Sequence, residues 1–272
     1  MHCFPLSGAL IAVAAVLASP LAAQEASSPN PAPVVPGVTA PPMSAEDLVT
    51  LPRLGAPAVN AAGTLAVYSV TTTDPGTFKR SPAHYLIDLT RPSAAPVALD
   101  FGIRASDLAF GADGAIYFLS SEHTDKAVAD ARSRVWRAVI GADGVIGAPR
   151  LVTSRTEADI AGFKLAPKGT RIAVWGEVPR DCPTFGCRDA RPRHLPGPGT
   201  GRLYDAADGF VRHWDRWATP GRHNRIFVFD LAGGVTQGEG VPVDGRDPAA
   251  GITADTPTMP FGGGEEIAFT PD

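Results

Sequence analysis

The amino-acid sequence predicts an all-β fold, a partial β-propeller of about three and a half blades built from short antiparallel strands. Three observations support this prediction. A turn with a glycine, followed by an alternating strand, recurs along the chain, and a second strand follows each complete turn. In addition, 29 glycines and 27 prolines make up about a fifth of the 272 residues. Such a high turn content is typical of proteins made of many short strands.

The N-terminus has the pattern of a secretory signal peptide. Residues 1–23 contain no Asp, Glu, Lys or Arg, and the apolar run from Ala9 to Ala18 is too short to span a bilayer. Small residues at Ala22 and Ala23 favour cleavage before Gln24. The sequence therefore predicts an exported protein, periplasmic or extracellular, with no membrane span in the mature chain.

A spacer follows the predicted cleavage site. Residues 24–43 hold six prolines among Ala, Ser and Val. A segment of this composition favours an extended, semi-rigid chain over a packed core. The folded domain is therefore expected to comprise residues 44–272.

Four segments share one pattern: an apolar residue, then a turn with small residues, then a strand whose side chains alternate between its two faces. They are Val59–Tyr68, Leu108–Phe118, Phe163–Trp175 and Ile267–Asp272. Gly63, Gly114 and Gly169 are the turn residues of the first three copies, because such a turn requires a positive φ. These glycines are 51 and 55 residues apart. A period near 50 residues, made of short antiparallel strands, is typical of propeller blades.

A second strand is predicted after each of the three complete turns: His84–Leu89, Arg134–Ile140 and Arg225–Leu231. Along the last strand, Ile226 and Val228 are predicted to lie on one face. Phe227, Phe229 and Leu231 are predicted to lie on the other. Two apolar faces are expected where sheets stack on both sides, as in a propeller; a two-sheet β-sandwich is the alternative.

The third unit contains a long insertion, residues 178–222. Without the signal peptide, the spacer and this insertion, about 185 residues remain, whereas propellers usually close with about four to eight blades. A ring that stops part-way would leave an unpaired edge. The sequence is therefore expected to be the N-terminal part of a longer protein.

The insertion differs in charge from the rest of the chain. Residues 180–225 include nine arginines and five acidic residues, whereas the whole chain has a net charge of −4. Arginines among aromatic residues can bind nucleic acid, but the predicted export and the negative net charge argue against such a partner. The insertion is predicted either to be anchored by Trp214 and Trp217 or to border a binding cleft. The candidate binding residues are Arg212, His213 and Asp215.

Cys182 and Cys187 are predicted to form a disulfide. The predicted compartment is oxidising, and the proline and glycine between the two cysteines allow the chain to bend back. The alternative is a zinc site that uses both thiolates with His194, His213 or His223. Because a second cysteine pair with matching spacing is lacking, the disulfide is favoured. No metal site and no cofactor are predicted.

The sequence contains no recognisable catalytic arrangement. It lacks the G-x-S-x-G of α/β-hydrolase nucleophiles, the H-E-x-x-H of zinc peptidases and a P-loop. The glycine-rich segment Gly197–Gly201 lacks the preceding strand and the following helix of a phosphate-binding loop. No catalytic residue is therefore predicted.

Two stretches resemble a known family. Met43–Val59, and Leu203–Trp217 followed by Arg225–Phe229, are similar to the propeller of exported bacterial prolyl oligopeptidase family serine peptidases. The similarity is to the dipeptidyl and acylaminoacyl peptidase branch, and Asp181–Thr184 fits the same group. The turns differ from the usual S-P-D-G of the family. The resemblance extends over residues 43–272.

The resemblance implies a propeller followed by an α/β-hydrolase domain with a Ser, Asp and His triad. That domain cleaves short peptides, and the propeller restricts access to it. No triad residue matches a position here, so the resemblance implies that this chain is inactive alone and that its short peptide substrate is bound through the missing hydrolase domain. The alternative function is a non-catalytic periplasmic propeller that binds a protein or a peptide.

Overall fold

The computed structural model describes residues 42–91, 93–126, 132–141, 144–153, 158–179, 182, 184–185, 212–213, 216–217, 219, 221–243, 245–247, 252–258 and 261–270. The predicted signal peptide, residues 1–23, and nearly all of the predicted spacer lie outside this range. No helix in the described part of the chain has the length and apolar composition needed to cross a membrane.

A short helix, α1 (Ala45–Thr50), precedes the first sheet. The hydroxyl oxygen of Ser44 accepts a hydrogen bond from the backbone N–H of Asp47 at 3.1 Å, and the Asp47 carboxylate accepts one from the backbone N–H of Ser44 at 2.9 Å. This reciprocal pair satisfies two donors at the start of the helix. Ser44 and Asp47 thus form a capping box at the start of α1.

Three sheets follow each other along the chain. The first contains β1 to β5 (Arg53–Leu54, Ala58–Val59, Leu65–Thr73, Arg80–Asp88 and Val97–Leu99). The second contains β6 to β9 (Ser106–Phe110, Ile116–Ser120, Arg134–Ala138 and Arg150–Leu151). The third contains β10, β11, β14 and β15 (Gly162–Leu165, Arg171–Pro179, Arg222–Ala232 and Val235–Val243). The other described elements are the hairpins β12–β13 (Arg212–His213 and Arg216–Trp217) and β16–β17 (Gly245–Asp247 and Ile252–Ala254), and a 3-10 turn (Gly264–Glu266).

Each sheet is antiparallel, and its strands follow one another across the sheet in the order in which they occur along the chain. In the first sheet, β1 and β2 both pair with β3, because residues 55–57 interrupt a single strand position. Each sheet therefore has four strand positions, as a propeller blade has. The prediction of a nearly all-β partial propeller is confirmed.

The three predicted turn glycines occupy equivalent turns. Gly63, Gly114 and Gly169 have φ values of 69°, 74° and 70°. The backbone N–H of each donates to the carbonyl oxygen three residues earlier, at 2.9, 3.0 and 2.9 Å. A residue with a β-carbon is strained at such a φ. The sequence repeat therefore reflects a repeated backbone geometry.

The second sheet lies between the other two. Along β7, Ile116 and Phe118 belong to a core shared with the first sheet, whereas Tyr117 and Leu119 belong to a core shared with the third. All five residues of β7 are buried. Side chains alternate along a strand, so both faces of this sheet are covered. The two-sheet sandwich alternative is therefore wrong.

The third sheet also has two apolar faces. Phe227 and Phe229 pack towards the second sheet, whereas Ile226 packs with Trp175 on the opposite face. The alternation predicted for residues 225–231 is thus confirmed.

The fourth copy of the repeat covers the outer face of the third sheet without forming a strand in its described residues, 267–270. Ile267 and Phe269 pack against the buried side chains of that face. The ammonium group of Lys164, on β10, donates to the carbonyl oxygen of Gly264 at 2.7 Å and to that of Ile267. Three complete sheets and the start of a fourth unit are therefore present.

Candidate functional site

The structure places two of the three candidate binding residues on one hairpin. Arg212 and His213 form β12, which pairs with β13 so that Arg212 lies opposite Trp217. The guanidinium carbon of Arg212 is 5.0 Å from the centre of the Trp217 ring, and Trp217 is 53% exposed. Asp215 lies outside the described residues. The hairpin therefore presents a cation stacked on an exposed indole, an arrangement suited to anionic and aromatic groups.

The insertion leaves and re-enters the third sheet at one place. β11 ends at Pro179 and β14 begins at Arg222, and these two residues are paired in the sheet. Within the insertion, Cys182 and Phe185 are each only 1% exposed and belong to the core between the second and third sheets. These two side chains anchor the start of the insertion.

The ring of Phe185 lies 5.1 Å from that of Phe227 on β14. Trp217, one of the two tryptophans considered as anchors of the insertion, is 53% exposed and lies outside the core. Trp214 lies outside the described residues. Sequence reasoning missed Phe185 because the segment around it has no strand periodicity.

Two arginines of β14 hold the neck of the insertion, the place where its two ends meet. Arg222 donates from Nη2 to the carbonyl oxygen of Glu177 at 2.5 Å, and its Nε lies 3.8 Å from the Glu177 carboxylate. Arg225 donates from Nη1 to the carbonyl oxygen of Cys182 at 2.5 Å. Charge-assisted bonds to backbone carbonyls of this kind fix the direction in which a loop leaves a sheet.

The chain that follows β17 is bound to the same end of β14. Asp255 accepts a hydrogen bond from the backbone N–H of Asn224 at 2.6 Å, and the Asn224 side chain donates to the carbonyl oxygen of Pro257 at 2.9 Å. Asn224 is 3% exposed. Because a buried amide needs partners, Asn224 ties residues 255–257 to the neck of the insertion.

The predicted disulfide falls partly outside the described residues. Cys182 is buried at the neck of the insertion, whereas Cys187 is not described, so their pairing stays a prediction. Of the histidines considered for zinc, His223 is buried on β14 and His194 lies outside the described residues. Among the side chains that the structure describes, no group of three or more His, Cys, Asp or Glu residues is positioned to hold a metal ion.

A polar network at the boundary of the second and third sheets was not predicted. Asp113 accepts a bond from Arg137 Nη2 at 2.6 Å and one from the Tyr117 hydroxyl at 3.2 Å. Burial, and then the charge of Asp113, raise the pKa of Tyr117, so the phenol stays protonated at neutral pH and cannot serve as a base. A β-carbon at Gly234 would lie 2.7 Å from the Arg137 side chain. The network therefore serves packing between the sheets.

Several solved structures are similar to the chain. It is similar to an acylaminoacyl peptidase of Pyrococcus horikoshii, with 14% identity, a TM-score of 0.48 and coverage of 76% of this chain and 30% of that one. It is also similar to an acylaminoacyl peptidase in complex with Z-Gly-Gly-Phe-chloromethyl ketone, with 16% identity, a TM-score of 0.46 and coverage of 72% and 26%.

A third similar structure is the AtxE2 isopeptidase, with 16% identity, a TM-score of 0.40 and coverage of 73% of this chain and 32% of that one. No protein-family model and no curated protein sequence matches this chain. The chain thus spans about a third, or less, of the length of the peptidases it resembles.

Proposed function

We propose that residues 44–272 are the propeller portion of an exported serine peptidase that acts on short peptides. In this proposal the propeller restricts access to a catalytic α/β-hydrolase domain that these 272 residues do not contain. The family motifs at 43–59 and 203–229 support the peptidase class. Residues 1–23 support export, and the cysteine spacing supports a Cys182–Cys187 disulfide.

The structural observation that carries the proposal is the anchored insertion. Its neck is fixed by Cys182 and Phe185 in the core and by Arg222 and Arg225 at the end of β14. A long loop whose ends are anchored at one end of a sheet is suited to line the entrance to a neighbouring site. Access control requires such a fixed base, because a loop without one would not exclude larger substrates.

The reading frame beyond Asp272 is the first test. We expect it to continue through further units of about 50 residues and then to encode G-x-S-x-G. A stop codon directly after Asp272 in the genome would contradict the peptidase proposal and favour the non-catalytic binder.

Access control is tested on the product of the complete reading frame. We expect it to cleave a fluorogenic dipeptide and to leave a 40-residue peptide intact. Replacing residues 212–217 with a Gly-Ser linker should raise the rate on the long peptide relative to the rate on the dipeptide. Arg91→Gln, a change at a 73% exposed side chain in the segment between β4 and β5, is the control. An unchanged ratio in the linker variant would refute the gating role of the insertion while leaving the peptidase class intact.

A further inference from the structure

The first sheet has a cavity that the proposed function does not use. It has a volume of about 370 Å³ and lies along β5. Its lining includes His84 on β4, the last residue of β5 and the segment that leads to β6. We call it the β5 cavity. Its volume is at the lower end of the range of small-molecule sites in proteins.

Two side chains of opposite charge line the β5 cavity, and both belong to exposed residues. Asp100 and Arg104 are four positions apart in the segment after β5. Among the described residues, neither the Asp100 carboxylate nor the Arg104 guanidinium takes part in an ion pair. Asp100 accepts a hydrogen bond from the Gly102 N–H at 2.8 Å, and the Arg104 backbone N–H donates to Glu122 at 3.1 Å. These local bonds shape the segment that carries both charges.

The wall of the β5 cavity contains a buried histidine. His84 is 9% exposed, and its Nδ1 atom is buried with no hydrogen-bond partner in the described part of the chain. Burial lowers the pKa of His84, so its imidazole is neutral at pH 7. The imidazole therefore adds a neutral, buried ring to the wall of the cavity.

The remaining lining is apolar. Leu99, Phe101 and Ile103 line the cavity, and each is less than 9% exposed. The ring of Phe101 meets that of His84 edge to face at 5.7 Å. The cavity therefore combines an apolar wall with one anion, one cation and one neutral imidazole.

We propose that the β5 cavity binds a free α-amino acid with an apolar side chain. The ligand ammonium pairs with Asp100, the ligand carboxylate pairs with Arg104, and the side chain packs against the apolar wall. The imidazole of His84 forms part of the wall beside the ligand. Each charge of the ligand pairs with one charged side chain of the cavity, so both ligand charges contribute to affinity. This site is independent of the proposed peptidase role.

Calorimetric titration of the purified 272-residue chain tests the proposal with three probes. L-Leucine carries both charges, N-acetyl-L-leucine lacks the ammonium and L-leucinamide lacks the carboxylate. We expect L-leucine to bind about two- to fivefold more tightly than either analogue, since each analogue loses one charge pair with an exposed side chain. Equal affinities for the three probes, or no heat with L-leucine up to millimolar concentration, would overturn the proposal.

Two variants separate the charges. Asp100→Asn keeps an oxygen that can accept from the Gly102 N–H. It should weaken the binding of L-leucine and leave the affinity for N-acetyl-L-leucine unchanged. Arg104→Gln should weaken the binding of L-leucine and leave the affinity for L-leucinamide unchanged. Both residues are exposed, and unchanged melting temperatures check that the variants fold. Arg91→Gln is the matched control, and an equal loss of affinity in that variant would contradict the site.

The imidazole signal of His84 gives a second readout by NMR. It is assigned by its disappearance in His84→Gln, and L-leucine should shift it while leaving the other histidine signals in place. Binding without a shift of the His84 signal would place the ligand elsewhere and overturn the assignment to the β5 cavity.

Discussion

Replacing Phe118 with alanine should lower the free energy of unfolding by about 3–5 kcal/mol, the cost of removing a buried aromatic side chain. Phe118 is 0% exposed and lies in the core between the first and second sheets. Its ring centre is 4.5 Å from that of Phe101, which follows β5 of the first sheet. The substitution therefore removes packing between two sheets. Urea unfolding followed by circular dichroism measures the loss.

The matched control for this change is Phe78→Ala. It removes the same atoms from a ring that is 57% exposed, in the turn between β3 and β4. We expect its stability to change by no more than about 0.5 kcal/mol. If both variants lost the same free energy, burial between stacked sheets would not be the source of the effect, and the packing described here would be wrong.

Replacing Gly176 with alanine should lower the free energy of unfolding by about 1–3 kcal/mol, the usual cost of forcing extra atoms into a packed interior. A β-carbon at this position would lie 2.2 Å from the carbonyl oxygen of Asp159. That oxygen belongs to the backbone and cannot rotate away. The Asp159 carboxylate also accepts a hydrogen bond from the Ser133 N–H at 2.9 Å. Movement of Asp159 would therefore disturb the start of β8 as well.

Gly76→Ala is the control for the glycine substitution. At Gly76 the nearest atom to an added β-carbon is Oδ1 of Asp74, at the ordinary contact distance of 3.6 Å. We expect this variant to unfold at the same urea concentration as the parent chain. If Gly176→Ala were as stable as the parent chain, β11 and the Asp159 carbonyl oxygen would not be as close as the structure shows.

The repeats were predictable from sequence because they depend on local geometry. A positive φ at the turn selects glycine at Gly63, Gly114 and Gly169, and this requirement is visible in a single chain. The two apolar faces of β14 were also predictable, because strand side chains alternate with a period of two. Both features are properties of short segments, so they do not depend on which sheets meet.

The neck of the insertion could not be predicted in the same way. Phe185 is buried against Phe227 although 42 positions separate them in sequence, and nothing around Phe185 repeats with a strand period. The more conspicuous tryptophan, Trp217, is instead half exposed. A single buried aromatic residue in an irregular segment is recognised only when the sheet that receives it is known.

Ion pairs between residues distant in sequence could not be predicted from the sequence either. Asp113, in the turn between β6 and β7, forms an ion pair at 2.6 Å with Arg137 on β8, in a chain with 24 basic and 28 acidic residues. Many pairings of such residues are possible, and the strand register selects this one. The β5 cavity could not be predicted either, because only the folded chain shows that Asp100, Arg104 and His84 line the same space.

Amide hydrogen exchange tests the central claim, that three antiparallel sheets are stacked with the second in the middle. β7 is paired on both sides and buried on both faces, whereas β5 and β15 lie at the edges of their sheets. We predict that the amides of Ile116–Ser120 exchange only through global unfolding, much more slowly than those of Val97–Leu99 and Val235–Val243. Exchange of β7 as fast as that of the two edge strands would contradict the stacked arrangement.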